Sequence, residues 1–319
     1  MNEFNEYNFL CHHGILGMKW GIRRYQNKDG SLTAAGRARY GRKDSFPGES
    51  KIARMYEDHT LYKKLTSGPK MERLTKEYYK KYDEYAKQYG TDPGEMDGSE
   101  AFDKVWDRGG NVSKIWYDYQ DKRDRQFLKD NDIPITNESL ATMRRYEAKL
   151  GDVNSLFISG SAKTQDSSSA FYKKELPQSV KDVIDNHKRE NYFTQFIVGD
   201  APGIDSQVQD YLKEQKMSDV VVYYSGDKPR NLSDPRWVTV KVDAGKTKPG
   251  TPEYNRQKDI AMTYASDSAI TVVLENGGAG ATRNNAKRMI EQNKDVKMIK
   301  LNSDGTDELI DDLLKELLE

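Results

Sequence analysis

A chain of 319 residues has room for two ordinary domains, and 51 basic against 51 acidic side chains leave no net charge to draw it to nucleic acid. One cysteine, Cys11, excludes an intramolecular disulfide and fits a reducing compartment, and no apolar run reaches the roughly 18 residues that a membrane span needs. The chain is 35% hydrophobic and 32% charged, polar for a compact protein, so part of it is expected to lean on partners. No apolar stretch follows a basic start, so no secretory signal is expected.

Residues 1–48 form a basic arm. Within the stretch 19–43, Lys19, Arg23, Arg24, Lys28, Arg37, Arg39, Arg42 and Lys43 are opposed only by Asp29. Glycines separate single large residues, so the segment cannot build a core; it reads as a peptide that orders on a partner surface, with Ile15, Leu16, Met18 and Trp20 as anchors. Thr33 is placed to cap a short basic helix to Tyr40, and Ser45-Phe46-Pro47-Gly48 is a turn signal. Cys11, His12 and His13 are too close together for a good metal set, and none is expected.

Residues 49–151 are charged and rich in tyrosine, and read as a helical connector or small helical subdomain. Met71 to Tyr89 sets Leu74, Tyr78, Tyr82, Tyr85 and Tyr89 at helical spacing, with Gly90 and Pro93 as stops. Val105–Leu128 and Ser139–Leu150 read as two further helices, the second opened by Asn137-Glu138-Ser139. The tyrosines suit amphipathic packing, with stacking on a nucleic-acid base as the other reading. No catalytic cluster is visible in this region.

Residues 152–319 alternate strand and helix patterns with short connections. Strands are expected at Val153–Ser159, Tyr192–Val198, Val220–Tyr224, Trp237–Val242, Ala269–Leu274 and Val296–Leu301. Helices are expected at Val180–Arg189, Ser206–Lys216, Pro252–Ala265, Ala281–Gln292 and Thr306–Leu318. Such alternation implies right-handed crossovers and a parallel sheet: an α/β, Rossmann-like domain with helices on both faces, preceded by the charged helical region and the extended arm.

In open parallel sheets a ligand sits beyond the carboxyl ends of the strands. Three loops are expected there: Ser159-Gly160-Ser161; Gly199-Asp200-Ala201-Pro202-Gly203-Ile204-Asp205; and Glu275-Asn276-Gly277-Gly278-Ala279-Gly280-Ala281-Thr282, which runs into a helix. Glycine lets backbone approach a phosphate, and a helix start offers unpaired N–H groups and a positive dipole end. The ligand-binding set is thus Ser159, Gly160, Ser161, Gly199, Asp200, Ala201, Gly203, Asp205, Arg256, Gly277, Gly278, Gly280 and Thr282. A P-loop is excluded because no G-x-x-x-x-G-K-[ST] is present, and Ser-Gly-Ser after the first strand is unlike the dinucleotide fingerprint.

The run Phe157-Ile158-Ser159-Gly160-Ser161, Val198-Gly199-Asp200-Ala201-x-Gly203-x-Asp205, Arg256-x-x-Asp259, Asp267 and Gly277-Gly278-x-Gly280-x-Thr282 resembles the SLOG superfamily. That group includes the DNA-processing protein A domain, lonely-guy phosphoribohydrolases and YspA-type proteins. The resemblance covers about Val153 to Leu301. It implies a ligand made of nucleotide, ADP-ribose or a related signal, with no cofactor required; some relatives cleave a nucleotide N-glycosidic bond and others only bind. It also implies pairing into a homodimer.

The hydrolase loop P-G-G-x-G-T-x-x-E is altered here: Asn276 replaces the proline, Ala281 follows Gly280, and Asn285 stands where the glutamate would be. Glu275 and Asp200 are the candidate catalytic carboxylates that remain, with Asp205 a third acid near them. Asp205 reads either as a ribose-hydroxyl acceptor or as a helix cap, Asp200 as an acid or the holder of its own turn. Arg256 reads as a phosphate contact or as a surface partner of Asp259. Binding is favoured over turnover.

The arm resembles the H-H-G-x-x-G-M-K-W-G-x-R-R-Y-Q-N-K-D-G-S-L-T segment at the ends of many tailed-phage and prophage proteins. His13, Gly14, Leu16, Gly17, Met18, Lys19, Trp20, Gly21, Arg23 and Arg24 are then the expected docking residues for a phage structural or assembly protein. The two resemblances together imply a phage protein that senses or sequesters a nucleotide ligand in the host cytoplasm, or rides in the virion. The competing readings are an N-glycosidic hydrolase and a virion component with a vestigial Rossmann-like domain.

Overall fold

The computed structural model describes residues 46–91, 98–191, 193–249, 251–275 and 280–310. The arm up to Ser45, with His13 to Arg24, lies outside these, as do Pro93, Gly277 and Gly278, whereas Phe46 at its end is buried in the core against Tyr264. Six helices come first: α1 (Glu49–Glu57), α2 (Leu61–Thr66), α3 (Pro69–Gln88), α4 (Gly98–Asp107), α5 (Ser113–Asp130) and α6 (Asn137–Leu150). The alternating half comprises β1 (Asn154–Gly160), α7 (Gln178–Glu190), β2 (Thr194–Gly199), α8 (Ile204–Glu214), β3 (Val220–Tyr224), β4 (Val238–Lys241), α9 (Pro252–Ala265), β5 (Ser268–Leu274), α10 (Ala281–Glu291), β6 (Asp295–Leu301) and β7 (Asp307–Ile310). One sheet holds the strands in the order β4-β3-β2-β1-β5-β6-β7, with every pair parallel except β6–β7. The fold is therefore α/β and Rossmann-like. Its strand order reverses between β1 and β5, which is the topological switch point.

Two expected helices are corrected. Val105–Leu128 is two helices, because Gly109 turns at φ +89° and Gly110 lies so close to Val105 and Tyr89 that a Cβ would meet them at 2.6 and 2.7 Å. The expected helix Thr306–Leu318 begins as strand β7 over Asp307–Ile310, antiparallel to β6; the hairpin turn is closed by Asn302 N–H donating to Thr306 and by Gly305 at φ +90°. A bare β6 edge competes with helix propensity and wins. The rest of that segment lies outside the described residues. At α6 the cap is Thr136, one residue before the expected opening, with Ser139 completing a capping box.

Alternation along the strands feeds two cores. Phe157, Ile197, Val221, Tyr223, Ala269 and Val273 face α1, α2, α6, α9 and α10; Leu156, Ile158, Phe196, Val198, Ile270 and Val272 face α7 and α8. Ile52, Leu61 and Leu65 are fully buried in the first of these, each contributing about 1.5–3 kcal/mol. The helical half thus shares a core with one face of the sheet. It also holds the loop that leads into the edge strand β4. Trp106 lies under the Arg236 guanidinium at 3.9 Å, Asn111 Nδ2 donates to the Arg236 carbonyl at 3.1 Å, and Lys114 Nζ donates to that of Pro235 at 2.6 Å.

The tyrosines pack against one another between α3, α4 and α5, around Tyr82, Ala86, Val105 and Val112. Their hydroxyls find partners at the rim: Tyr119 with Thr75 at 3.0 Å, and Tyr85 accepting from the Asn111 N–H at 2.9 Å. Between α5 and α6 lies a buried ionic group. Arg123 pairs with Glu147 and reaches Asp124 only at 3.6 Å, while Arg144 pairs with Asp121 at 3.2 Å. Asp124 is fully buried, and burial pushes its carboxyl up to about 7 despite the nearby arginines.

Candidate functional site at the switch point

The carboxyl ends of β1, β2 and β5 bring Ser159, Gly160, Ser161, Gly199, Asp200 and Glu275 to one edge of the sheet, where α8 and α10 begin. Asp200, directly after β2, is fully buried and fully paired. Its Oδ1 accepts from Lys258 Nζ and Arg230 Nη2, both at 2.7 Å; its Oδ2 accepts from Arg230 Nε at 3.1 Å and the Arg230 N–H at 3.0 Å. Burial alone would raise this carboxyl, but the Arg230 bonds and the Lys258 charge prevail and hold it at about 2. It is a permanent anion that anchors the β3–β4 crossover, and not a proton donor.

Gly199 explains how these groups fit. A Cβ there would stand 2.2 Å from Asp205 Oδ2 and 3.0 Å from Lys258 Nζ. Asp205 is buried in the first turn of α8, accepting from the Ala201 N–H, and burial lifts its carboxyl to about 6 against the pull of Lys258. It is not the cap: Gly203 occupies that position. Asp259, on α9, is also raised by burial and is hydrogen-bonded to Asn285 of α10.

Gly160 and Gly203 serve the chain's own packing. Gly160 makes room for Ile204, whose Cβ would be 2.5 Å from a methyl there, and Gly203, at φ +88°, sits 2.2 Å by the same measure from the Ser161 carbonyl. The start of α8 is accordingly occupied. Gln165 Oε1 accepts from the Gly203 N–H at 3.0 Å, and the Ser161 carbonyl from that of Ile204 at 3.3 Å. Ser161 turns its own hydroxyl to the Lys163 N–H. The start of α10 is different: Gly280 caps it without any side chain, and no acidic residue lies in its first turn, where Thr282 is partly buried.

Two further expectations change place. Arg256 is exposed and pairs with Glu253 at 3.2 Å, not with Asp259. Glu275 accepts from both the N–H and the hydroxyl of Ser303, at 2.9 and 2.8 Å, and these bonds hold its carboxyl below the usual range. It ties β5 to the β6–β7 hairpin, the opposite of what a general acid needs. Asp267 of the motif series sits at the far end of β5, bound to the Ser155 N–H at 3.3 Å and Lys149 at 2.9 Å. Lys258 and Arg230 were not among the expected residues. A signal for Lys258 exists: it shares the buried stripe Lys258, Ala261, Met262, Ala265 of α9.

Two hollows lie elsewhere, an open one of about 660 Å³ on α7 and just past α8 beside Asp182 and Arg189, and one of about 60 Å³ beside Arg144 and Tyr223. Among those residues no group of three or more His, Cys, Asp or Glu is placed to hold a metal ion, and no helix is long and apolar enough to cross a membrane.

Fold and edge together define an open, mostly parallel α/β sheet with a charged switch point. Residues 6–27, inside the amino-terminal arm, match a family of unknown function, DUF7211. No curated protein and no solved structure matches the chain.

Proposed function

We propose that the carboxyl edge of the sheet binds a nucleotide-derived, phosphate-bearing ligand of the ADP-ribose kind, with the phosphate at the start of α10. The observation that carries this is the contrast between the two glycine-led helix starts at the switch point. The start of α8 is filled by Gln165 and Ser161, whereas that of α10 carries no side-chain cap and no acid. Bare N–H groups and a positive dipole end are what a phosphate seeks. Binding is favoured over hydrolysis, because Asp200 is locked in ion pairs and Glu275 is held by Ser303.

The test is thermal shift of the full chain with AMP, ADP-ribose, NAD and cyclic nucleotides, followed by assay for free base. Ligand at a hundred times its dissociation constant stabilises by about 2.7 kcal/mol. Ala281→Asp places a carboxylate on an exposed residue of the first turn, where it favours the helix but repels phosphate. It should abolish the ligand shift and leave the free protein's melting point within a degree or two. An unchanged shift would place the phosphate elsewhere, and base release would reassign the chain as an N-glycosidase.

The arm gives the setting: residues 1–48 dock the chain to a phage structural or assembly component, so the binding domain works in the infected host's cytoplasm or travels with the particle. The support is the arm's resemblance to phage termini and its lack of any core-forming pattern. Deleting residues 1–45, which spares Phe46 in the core and Gly48 at the first helix, should end co-purification with particles; undiminished incorporation would sink the docking role.

A further inference from the structure

The helical half meets the sheet along β3 and β4, and the smaller of the two hollows, about 60 Å³, lies in that seam. Asp121 and Arg125 of α5, Arg144 of α6, Tyr223 of β3, Lys241 of β4 and Ala261 of α9 line it. Size narrows the occupant first. One water needs roughly 10–15 Å³, and pockets for drug-sized ligands begin near about 300 Å³. The seam has room for a small ion or a few waters, and for nothing as large as a nucleotide.

Charge narrows it further. At the rim, Lys241 with Asp227, and Asp243 just after β4, stand in water, where their fields are screened. The inner set is Arg144 and half-exposed Arg125, and these two share one carboxylate. Asp121 Oδ1 accepts from Arg144 Nη2 at 3.2 Å, and its Oδ2 from Arg125 Nε at 2.7 Å. Arg144 is only 12% exposed, yet its Nε–H has no hydrogen-bond partner among the described residues. The buried Tyr223 hydroxyl is bonded to Arg144. A guanidinium only donates, so the phenolic proton is directed elsewhere. Two buried donors and an excess of positive charge thus line one small space. A water accepts from such donors, but only an anion also offsets the charge. Asp124, the other carboxyl near Arg144, is itself raised to about 7 and adds little negative charge in weakly acidic solution.

We propose that this hollow is a site for a small monovalent anion of the halide class, held by the Arg144 Nε–H and the Tyr223 hydroxyl. Its walls come from both halves of the chain, so the ion fastens α5 and α6 to the sheet. The site is separate from the start of α10 and does not rest on the nucleotide reading.

The experiment is thermal unfolding of the full chain at pH 6 and constant ionic strength, with sodium gluconate replaced stepwise by sodium chloride or bromide. The melting point should rise by several degrees along a saturable curve, as single-site linkage requires. Ala261→Val adds two methyl groups to the wall and takes the room of the ion. It should melt within a degree or two of the wild type in gluconate and lose the halide response. No halide response in the wild type, or an equal one in Ala261→Val, would overturn the site. A crystal of the wild type grown in bromide makes the test independent of that variant's folding. An anomalous bromine peak beside Arg144 and Tyr223 is the expected result; density there without anomalous signal would assign a buried water and overturn the proposal.

Discussion

Two groups of buried charges sit in this protein, and they are built on opposite terms. At the sheet edge, Asp200 receives four hydrogen bonds from Lys258 and Arg230, and its carboxyl is held at about 2. Between α5 and α6, Asp124 has only Arg123 at 3.6 Å, too long for a hydrogen bond, and is raised to about 7. Both are out of water; only one is solvated by the protein. Burial raises both carboxyls, so burial alone does not set their state. The donors and charges aimed at each decide which way it goes.

The comparison can be broken most forcefully at Lys258. Lys258→Met keeps length and apolar reach but leaves Asp200 with Arg230 alone, and removing one partner of a buried pair costs about 3–5 kcal/mol. Urea denaturation should show that loss as a lowered midpoint with an unchanged slope. A loss below about 1 kcal/mol would mean the pair is far better hydrated than its burial implies.

At Asp124 the sign should reverse. Asp124→Asn removes a poorly satisfied carboxylate, while Arg123 keeps Glu147 and Arg144 keeps Asp121. A gain of about 1–4 kcal/mol is expected at pH 8, the upper end being what a carboxyl raised from its ordinary value to about 7 carries. The gain depends on pH in a defined direction. An acid whose folded pKa lies above its unfolded value stabilises the fold when protonated, and that contribution is lost as pH rises through about 7. The variant's advantage should therefore shrink steadily as pH falls and vanish below about pH 4, where Asp124 is protonated in the folded and unfolded chain alike. Denaturation curves at the two pH values decide it; an equal gain at both would remove the proton from the account.

Much of this architecture is legible in the chain. Val220–Tyr224 and Pro252–Ala265 fall where pattern places them, because a buried strand is apolar throughout and a proline fits the first turn of a helix. The misses have physical causes. Gly109 and Gly110 look tolerable inside a helical pattern until the packing of Tyr89 against Val105 demands the break. Thr306 to Ile310 alternates too briefly to declare itself a strand without β6 beside it. For the site, the strand-end loops are readable locally, whereas Lys258 and Arg230 come from elements 58 and 30 residues away from Asp200. A lysine on an otherwise apolar helical stripe was the one sequence trace of that pairing.

Gly199 has a consequence for anyone who seeks a variant that folds but does not bind. Any side chain there must displace Asp205 and Lys258, and with them the clamp that fastens α9 and the β3–β4 crossover to the sheet. Random mutagenesis scored by loss of activity will therefore return insoluble chains at this position and at its partners, and such hits carry no information about the ligand. Among the described residues the start of α10 carries no side-chain cap. On the proposed reading of that helix start as the phosphate site, separation-of-function alleles should gather at Gly280, Ala281 and Thr282, and a genetic screen that first discards unstable proteins tests it.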